Sequence, residues 1–390
     1  MKWRGLGKLA LLGVIVIICI VGAVYLTDFF KKDGVGTFDY TMPDEVRAEK
    51  AEPGDFIYTK EDGTIKKISG NDTVHTVGDN NTEGKAAVAA HIIIPKLSED
   101  SIAELEDEYI NRRIRLTVNN SLYAAYNKDM VLCDKPVVKG IEIKDVCPPH
   151  GASVSTLITI DLDGVYEYNL YEENNKYIID MADIHSVYDK VIVVDAGHGG
   201  GDTGCGSCDS KHYEKDITLS IVKLLKERLD ETDIKVYYTR LEDETVYLKP
   251  RVALANAVKA DMFISIHCNY YDRYPAYKIS GTETLYSSVN KKMKMQNKQL
   301  AKIMMNEFTS ATSIKKRSVI NRKKDLFILK KSRVPSTIVE MAYLSNVNDL
   351  KHFVNEKKTK KVVDGLYNGI VEAYGEMYGK TVSPGVEDFY

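Results

Sequence analysis

Three short apolar runs in the second half of the chain lead to residues that can bind a metal or carry a proton. Residues 191–194 precede a glycine-rich loop with His198, residues 262–267 end in His267, and residues 336–340 end in Glu340. Apolar runs of this length are typical of strands buried on both faces of a parallel sheet. Because ligands bind outside the carboxyl ends of such strands, we expect the three side chains to meet at one edge.

These runs belong to a regular alternation of strand and helix patterns between residues 187 and 379. Strand-like runs occur at 191–195, 234–238, 262–267, 282–286 and 336–340. Helical patterns occur at 217–228, 248–255, 291–310 and 359–378. Alternating units of this length predict an α/β fold with a mainly parallel sheet and helices on both faces. The last residues, 380–390, are expected to form a flexible tail.

Glu214 adds a carboxylate to the two histidines, and the resulting set suits one zinc ion. Catalytic zinc is bound by three protein ligands such as two imidazoles and a carboxylate, which leaves a fourth position for water. His198, Glu214 and His267 are therefore the predicted ligands. Glu340 is the predicted proton carrier, because an unpartnered carboxylate within a buried strand would be costly. The glycines around His198 let the backbone approach the metal closely.

The same residues stand within sequence blocks that resemble a known family. The blocks are residues 193–200, 214–216, 239–240, 255–256, 260–269 and 335–346, with Arg251 among them. In this order they are similar to the zinc-dependent N-acetylmuramoyl-L-alanine amidases that cut bacterial cell walls, and the resemblance covers residues 190–378. The chain departs from the family pattern at Ala196, Thr218 and Cys268, none of which is a predicted ligand.

The resemblance implies an enzyme that acts on peptidoglycan. It would cleave the amide bond between the lactyl group of N-acetylmuramic acid and the L-alanine of the stem peptide. Asn269 and Arg322, near the expected groove, are the substrate contacts that the resemblance suggests. His212 is a rival ligand close to Glu214 in sequence, but it ranks lower because the family pattern keeps the glutamate.

Residues 1–31 are predicted to be a membrane anchor. Residues 9–27 contain no charged side chain and are long enough to span a bilayer, and Lys2, Arg4 and Lys8 precede them. Basic residues on this side favour a single-pass protein of the cell membrane with its catalytic domain outside. The alternative is a signal peptide cleaved near residues 21–23, which would release the protein to the cell wall. With 53 basic and 56 acidic residues, the bulk charge does not point to nucleic acid.

The segment between anchor and catalytic domain divides into a linker, residues 32–54, and a smaller, mostly β domain, residues 55–186. Short alternating runs separated by Asn, Asp, Gly and Pro residues occur throughout the second part. One helix is expected where Ser101 and Glu104 form a capping-box pattern. The placement of this domain is similar to that of the AMIN-type domains that precede some amidases and bind cell wall. A spacer is the alternative.

Other functions compete with the amidase interpretation. Residues 199–204 satisfy the glycine pattern of a dinucleotide site, but no helix pattern opens directly from that loop, so the match is rejected. A cell-wall-binding protein without activity, or an enzyme that needs a protein activator, would use the same fold, and both stay open. The pairs Cys133–Cys147 and Cys205–Cys208 can each bridge in an oxidising exterior, and their spacing does not decide whether they do.

Overall fold

The structure is a computed structural model, and it describes most of the chain after residue 87. The described residues are the strands at 56–59 and 65–68, then 88–146, 154–275, 278–289, 293–322 and 325–379. All of them belong to one compact unit that begins at Ala51. The predicted anchor, linker and tail lie outside the described residues. Within the described ranges, no helix is both long and apolar enough to cross a membrane.

The first part of the described chain is a β-rich region, as predicted. Its strands are β1 Phe56–Thr59, β2 Ile65–Ile68, β3 Val88–Pro95, β4 Ile102–Glu108, β5 Arg113–Ser121, β6 Leu132–Cys133, β7 Val138–Val146, β8 Val154–Leu162, β9 Glu167–Glu173 and β10 Lys176–Ala182. Strands β1 and β2 form an antiparallel pair. The others form two four-stranded antiparallel sheets, in the orders β6-β3-β10-β9 and β4-β5-β8-β7.

The two four-stranded sheets of the β-rich region share one apolar core. Alternate residues of their central strands face inward and are fully buried, as the period of two in a strand requires. Examples are Ile92 and Ile94 of β3, Leu116 of β5, Ile158 of β8 and Ile179 of β10. The core therefore follows from the alternating pattern that predicted the strands.

The prediction of a helix near Ser101 is wrong, because this segment leads into strand β4. Its Ala103 and Leu105 pack on the core at alternate positions, and the strand pairs in an antiparallel register with β5. The hydroxyl of Ser101 contacts the Ser98 carbonyl and the Tyr177 hydroxyl, each at 2.7 Å, and caps no helix. Pairing with a neighbouring strand has overridden the local capping pattern.

The second part of the described chain combines one six-stranded sheet with seven helices. The strands are β11 Val191–Ala196, β12 Lys235–Tyr238, β13 Met262–Asn269, β14 Thr282–Tyr286, β15 Lys316–Asn321 and β16 Ser336–Tyr343. The helices are α1 Ile184–Val187, α2 Glu214–Leu229, α3 Leu248–Ala257, α4 Asn297–Thr312, α5 Phe327–Lys331, α6 Val347–Val354 and α7 Glu356–Tyr378. The sheet order is β12-β11-β13-β16-β14-β15, and every pair is parallel except β14 with β16.

Helices cover both faces of this sheet. On one face, Val194 of β11 shares a core with Leu225 of α2 and Phe308 of α4, and α7 joins the same core. On the other face, Val193 packs with Val252 of α3, and α5 joins that core. The prediction of a mainly parallel sheet in an α/β fold is confirmed. It did not include the reversed direction of β14 and β15.

The edge strand β12 contacts the β-rich region. The Tyr109 hydroxyl donates to the Tyr238 carbonyl at 2.9 Å and accepts from the Tyr238 N–H at 3.3 Å. Lys235 pairs with Glu167 at 2.7 Å. The Tyr109 hydroxyl thus satisfies backbone groups that an edge strand would otherwise expose.

Candidate metal centre and active site

The three predicted ligands come together at the carboxyl edge of the sheet. His198 follows β11, Glu214 is the first residue of α2, and His267 lies near the end of β13. The Glu214 Oε1 atom is 3.1 Å from Nε2 of His198 and 2.9 Å from Nδ1 of His267. One ligand atom from each residue lies within 4.8 Å of the others.

This donor set fits a zinc ion. Bonds of about 2.0–2.2 Å to nitrogen and oxygen place tetrahedral ligand atoms roughly 3.4 Å apart. The Glu214 Oε1 atom lies at similar distances, 3.1 and 2.9 Å, from the two histidine nitrogens. The Asp202 carboxylate lies 2.9 Å from Nδ1 of His198, which leaves Nε2 directed at Glu214. That these residues hold zinc stays a prediction. His212, the rival ligand, is outside the group and lies 3.7 Å from Asp209.

Glycine is required where the loop after β11 crosses the ligands. A Cβ atom at Gly197 would overlap the imidazole of His267. At Gly204, whose φ is +62°, a Cβ atom would lie 2.6 Å from Oε2 of Glu214. His198 itself has a φ of 62°, a left-handed conformation that costs a non-glycine residue of the order of 1–3 kcal/mol. The surrounding structure must therefore hold this loop in place.

The Glu214 carboxylate is oriented by two backbone groups as well as by the histidines. Its Oε1 accepts the Cys268 N–H at 2.9 Å, and its Oε2 accepts the Cys205 N–H at 3.0 Å. Burial alone would raise the pKa of Glu214, but the hydrogen bonds with His198 and His267 hold it well below its usual range. The carboxylate therefore stays ionised, as a metal ligand must.

A buried aspartate supports the His198 loop from below. Asp195 is fully buried, and its Oδ1 pairs with Nη1 of Arg251 at 2.5 Å and accepts the Thr239 hydroxyl at 2.6 Å. The Ser265 hydroxyl donates to its Oδ2 at 2.6 Å. Burial raises the pKa of Asp195, but Arg251 and the two hydroxyls lower it further than burial raises it. Arg251 also donates to the His198 carbonyl at 2.6 Å, which ties the ligand's backbone to the ion pair.

A second buried arginine joins the loop to the start of α2. Arg240 is 2% exposed and donates to the carbonyls of Ala196, Gly197 and Lys215 at 3.0, 2.8 and 2.9 Å. It also donates to the Thr218 hydroxyl at 3.1 Å, and that hydroxyl donates to the Gly197 carbonyl at 2.8 Å. Thr218, a departure from the family pattern, is therefore part of this support.

Arg240 and Arg251 lie at positions that match the family pattern, but the sequence did not predict a role for them. The signal was present, because each is a cation beside an apolar strand or helix pattern, where burial requires partners. Which carbonyls they bind depends on the folded loop.

Glu340 lies beside His267 on the neighbouring strand. The two residues are cross-strand partners in the β13–β16 register, so their side chains share a face of the sheet. Burial raises the pKa of Glu340 to about 7, with further increases from Glu214 and Glu283 and an opposing effect of His267. A carboxyl group of this kind can exchange a proton near neutral pH, which is what the predicted proton carrier needs.

The two predicted substrate contacts, Asn269 and Arg322, lie at opposite edges of the sheet. Asn269 lies two residues beyond His267, and its Nδ2 donates to Glu283 at 3.1 Å. Arg322 follows β15, which is parallel to β14 and so runs opposite to β16. The end of β15 therefore lies at the other edge of the sheet, where the Arg322 N–H donates to the Tyr286 carbonyl. This corrects the expected position, because the structure does not bring Arg322 to the ligand group.

The cysteines near the site are free thiols. Cys205 and Cys208 are not bridged, and neither are Cys133 or Cys268, while Cys147 lies outside the described residues. The Cys205 Sγ atom is 3.7 Å from the Cys268 carbonyl. Burial raises the pKa of the Cys205 thiol, so it is protonated at neutral pH.

Comparison with known protein families gives one match, which covers most of the second part of the chain. The N-acetylmuramoyl-L-alanine amidase family matches residues 192–372. The chain belongs to this family, and residues 192–372 are its amidase domain.

Three similar proteins illustrate the match. The Bacillus subtilis (strain 168) protein YqiI is 30% identical over 187 residues, which are 48% of this chain and 86% of YqiI. The germination-specific N-acetylmuramoyl-L-alanine amidase of the same organism is 27% identical, covering 48% of this chain and 81% of that protein. The CwlD amidase of Clostridioides difficile, solved in complex with the GerS lipoprotein, is 30% identical over 48% of this chain and 100% of its own, with a TM-score of 0.44.

Proposed function

We propose that this protein is a zinc-dependent peptidoglycan hydrolase. It cleaves the amide bond between the lactyl group of N-acetylmuramic acid and the L-alanine of the stem peptide. The observation that carries the proposal is the convergence of His198 and His267 on one oxygen of Glu214, within 3.1 Å, beside the strand that bears Glu340. Family membership supplies the class of bond.

The chain's own residues divide the work. His198, Glu214 and His267 would hold one zinc ion. When bound, zinc supplies Lewis-acid chemistry, since it lowers the pKa of water to about 7 and polarises a carbonyl group. Glu340 accepts the proton of the attacking water and donates it to the nitrogen of the leaving L-alanine. The products are a lactyl carboxylate and a peptide with a free amino terminus.

We also propose where the enzyme acts. The uncharged residues 9–27 with their preceding basic residues would anchor the protein in the cell membrane and place the amidase domain outside. Signal cleavage, with release to the cell wall, is the alternative. Residues 55–186 would then bind the cell wall or hold the amidase domain at a distance from the membrane.

The proposal is tested with the purified full chain on isolated peptidoglycan, with and without a zinc chelator. Mass spectrometry should detect free stem peptides that begin with L-alanine, and the chelator should abolish their release. Glu340→Gln, which removes the proton carrier, should lower this release by about 10²–10⁴-fold. Chelator-insensitive release, or release of fragments cut at another bond, would contradict the proposal.

A further inference from the structure

A second carboxylate stands next to Glu340 on the ligand edge of the sheet. Because β14 is antiparallel to β16, its first residues lie at this edge, and Glu283 is the cross-strand partner of Glu340. His267, Glu340 and Glu283 therefore form a row on three adjacent strands. Cross-strand partners share a face of the sheet, so Glu283 points to the same side as Glu340. The strand-like run of residues 282–286 does not indicate the direction of the strand, so the sequence did not predict this position.

Glu283 is held in place by partners on both oxygens. Asn269 donates to its Oε2 at 3.1 Å, and Nε of Arg317 donates to its Oε1 at 3.0 Å. The Glu283 side chain is only 12% exposed. Its charge is thus already paired, so it serves to fix Arg317 and is not a free base.

The Arg317 guanidinium is fixed on three sides and open on the fourth. Besides Glu283, it lies 5.3 Å from the ring centroid of Tyr343, and its Nη1 is 3.4 Å from the Ser280 carbonyl. Gly281 makes room for the stem of the side chain, because a Cβ atom there would lie 2.8 Å from Cγ of Arg317. The Arg317 side chain keeps 28% of its surface exposed. A guanidinium carries five N–H donors, so the contacts leave donors available to an anion.

The separation from Glu340 indicates which part of a substrate these donors reach. Cross-strand Cβ atoms are about 5 Å apart. The Arg317 Nε atom lies 3.0 Å beyond the Glu283 carboxylate. Added along the row, these two spacings place the donors on the order of 8 Å from Glu340, which carries the proton to the scissile nitrogen. An extended peptide advances roughly 3.3–3.6 Å per residue. The donors therefore lie about two residues from the scissile bond.

We propose that Arg317, held by Glu283 and Tyr343, binds a free carboxylate on the second residue of the stem peptide and so makes the enzyme select stems in which that carboxylate is not amidated. The inference rests on the proposed function, since it takes a stem peptide as the substrate. A planar guanidinium matches a carboxylate with two parallel hydrogen bonds, whereas a neutral amide accepts fewer of them and carries no charge. The Arg317 cation also offsets the repulsion that the neighbouring carboxylates of Glu340 and Glu283 exert on an anionic substrate.

The test uses two muramyl dipeptides that differ only at the second residue, one with a free carboxylate and one with its primary amide. Binding is measured by calorimetry to the zinc-loaded full chain carrying Glu340→Gln, so that neither peptide is cleaved. The acid should bind more tightly than the amide by roughly tenfold to a hundredfold, as expected for a hydrogen-bonded charge. Adding Arg317→Gln should remove this preference by weakening the binding of the acid far more than that of the amide. Adding Arg317→Lys should keep part of it.

Arg322→Gln is the matched control, because it removes the same charge at the opposite edge of the sheet and should leave the preference intact. Equal binding of acid and amide by the parent, no binding of either, or a preference that survives Arg317→Gln would each overturn the proposal. Equal weakening of both peptides by Arg317→Gln would assign Arg317 a purely structural role and also overturn it. Cleavage by the unsubstituted chain separates the two hypotheses: no cleavage of either dipeptide contradicts the proposed function, whereas cleavage without preference contradicts only the role of Arg317.

Discussion

The β-rich region and the six-stranded sheet bury similar apolar cores but treat charge differently. In the β-rich region the core shared by the two sheets is apolar. Its charged side chains are either exposed, as in Arg115–Glu106, or paired outside that core, as in the buried Asp180 with His91. In the six-stranded sheet region, charged side chains at the metal site are buried. They are Asp195, Glu214, Arg240 and Arg251, each at most 4% exposed.

The difference shows what buried charge does in this molecule. Burying an ion pair is costly and is not in itself a source of stability. Here the buried charges bind the backbone on either side of His198, whose φ of 62° is unfavourable. We infer that the buried charges of the six-stranded sheet region hold the metal site in place, whereas the β-rich region does not act on that site, and four experiments test this inference.

Removal of a ligand should have the largest effect. His198→Ala or His267→Ala takes one of three donors from the proposed site, so zinc retention should fall by more than the roughly 10- to 100-fold typical of outer partners. Stem-peptide release should fall to background. Zinc content is measured by elemental mass spectrometry after dialysis. Glu106→Gln in the β-rich region is the control and should change neither quantity. Retention of zinc by both histidine variants would contradict the assignment of these residues as ligands.

Removal of one buried charge should destabilise strongly. Arg251→Met leaves Asp195 buried without its cation, which should cost about 3–5 kcal/mol in the free energy of unfolding. Arg115→Met is the matched variant in the β-rich region. It should cost about 0–1 kcal/mol, because the Arg115–Glu106 pair is exposed. Denaturant unfolding measures both. The double variant Arg251→Met/Asp195→Leu should recover part of the loss, and equal costs at the two arginines would show that burial is not the deciding factor.

In the metal-free protein, the pH dependence of the free energy of unfolding should show the titration of Glu340. Its pKa is raised to about 7, above the value of about 4.3 for an unfolded glutamate, so the folded state binds this proton more tightly. The contribution of Glu340 is therefore lost as the pH rises from about 4 to about 7. Glu340→Gln does not titrate, and at about pH 8 it should be more stable than the parent by roughly 3–4 kcal/mol.

Below about pH 4 that difference should vanish, because both proteins then carry a neutral side chain at position 340. Exposed Glu106→Gln should show no such pH-dependent gain. A constant difference between Glu340→Gln and the parent across this range would contradict the raised pKa.

The smallest effect is expected in the core of the β-rich region. Ile158→Val removes one buried methylene, which should cost about 0.5–1.5 kcal/mol in the free energy of unfolding. Zinc affinity and turnover should not change, because Ile158 faces only the apolar core. A change in zinc affinity would show that the β-rich region acts on the metal site, through contacts such as Tyr109 with Tyr238.

Much of this arrangement could be predicted from the sequence, and the failures have physical causes. Apolar runs that end in histidine or glutamate predicted the strands, and parallel strands necessarily bring their ends together. The direction of β14 is not encoded in an apolar run, so Arg322 was expected at the wrong edge and Arg317 was missed. Strand β15 is basic and largely exposed, and gives no apolar alternation.

Predictions from local sequence patterns were also wrong where tertiary contacts determine the secondary structure. The capping-box pattern at Ser101 predicted a helix, but pairing with β5 makes the segment a strand. Helix α4 begins at Asn297, later than the pattern from residue 291 suggested. The pattern at 359–378 begins instead at Glu356, after Asn355 caps the helix through the Lys358 N–H. Ends of elements depend on caps and neighbours more than on periodicity.

The most direct test of the central claim is the zinc content and turnover of Glu340→Gln measured on the same preparation. The claim is that three residues hold the metal and a fourth carries the proton. It predicts one zinc ion per chain, as in the parent, and a fall in stem-peptide release of about 10²–10⁴-fold. Turnover near that of the parent would contradict the role of Glu340, and loss of zinc would contradict the division of roles between Glu340 and the ligands.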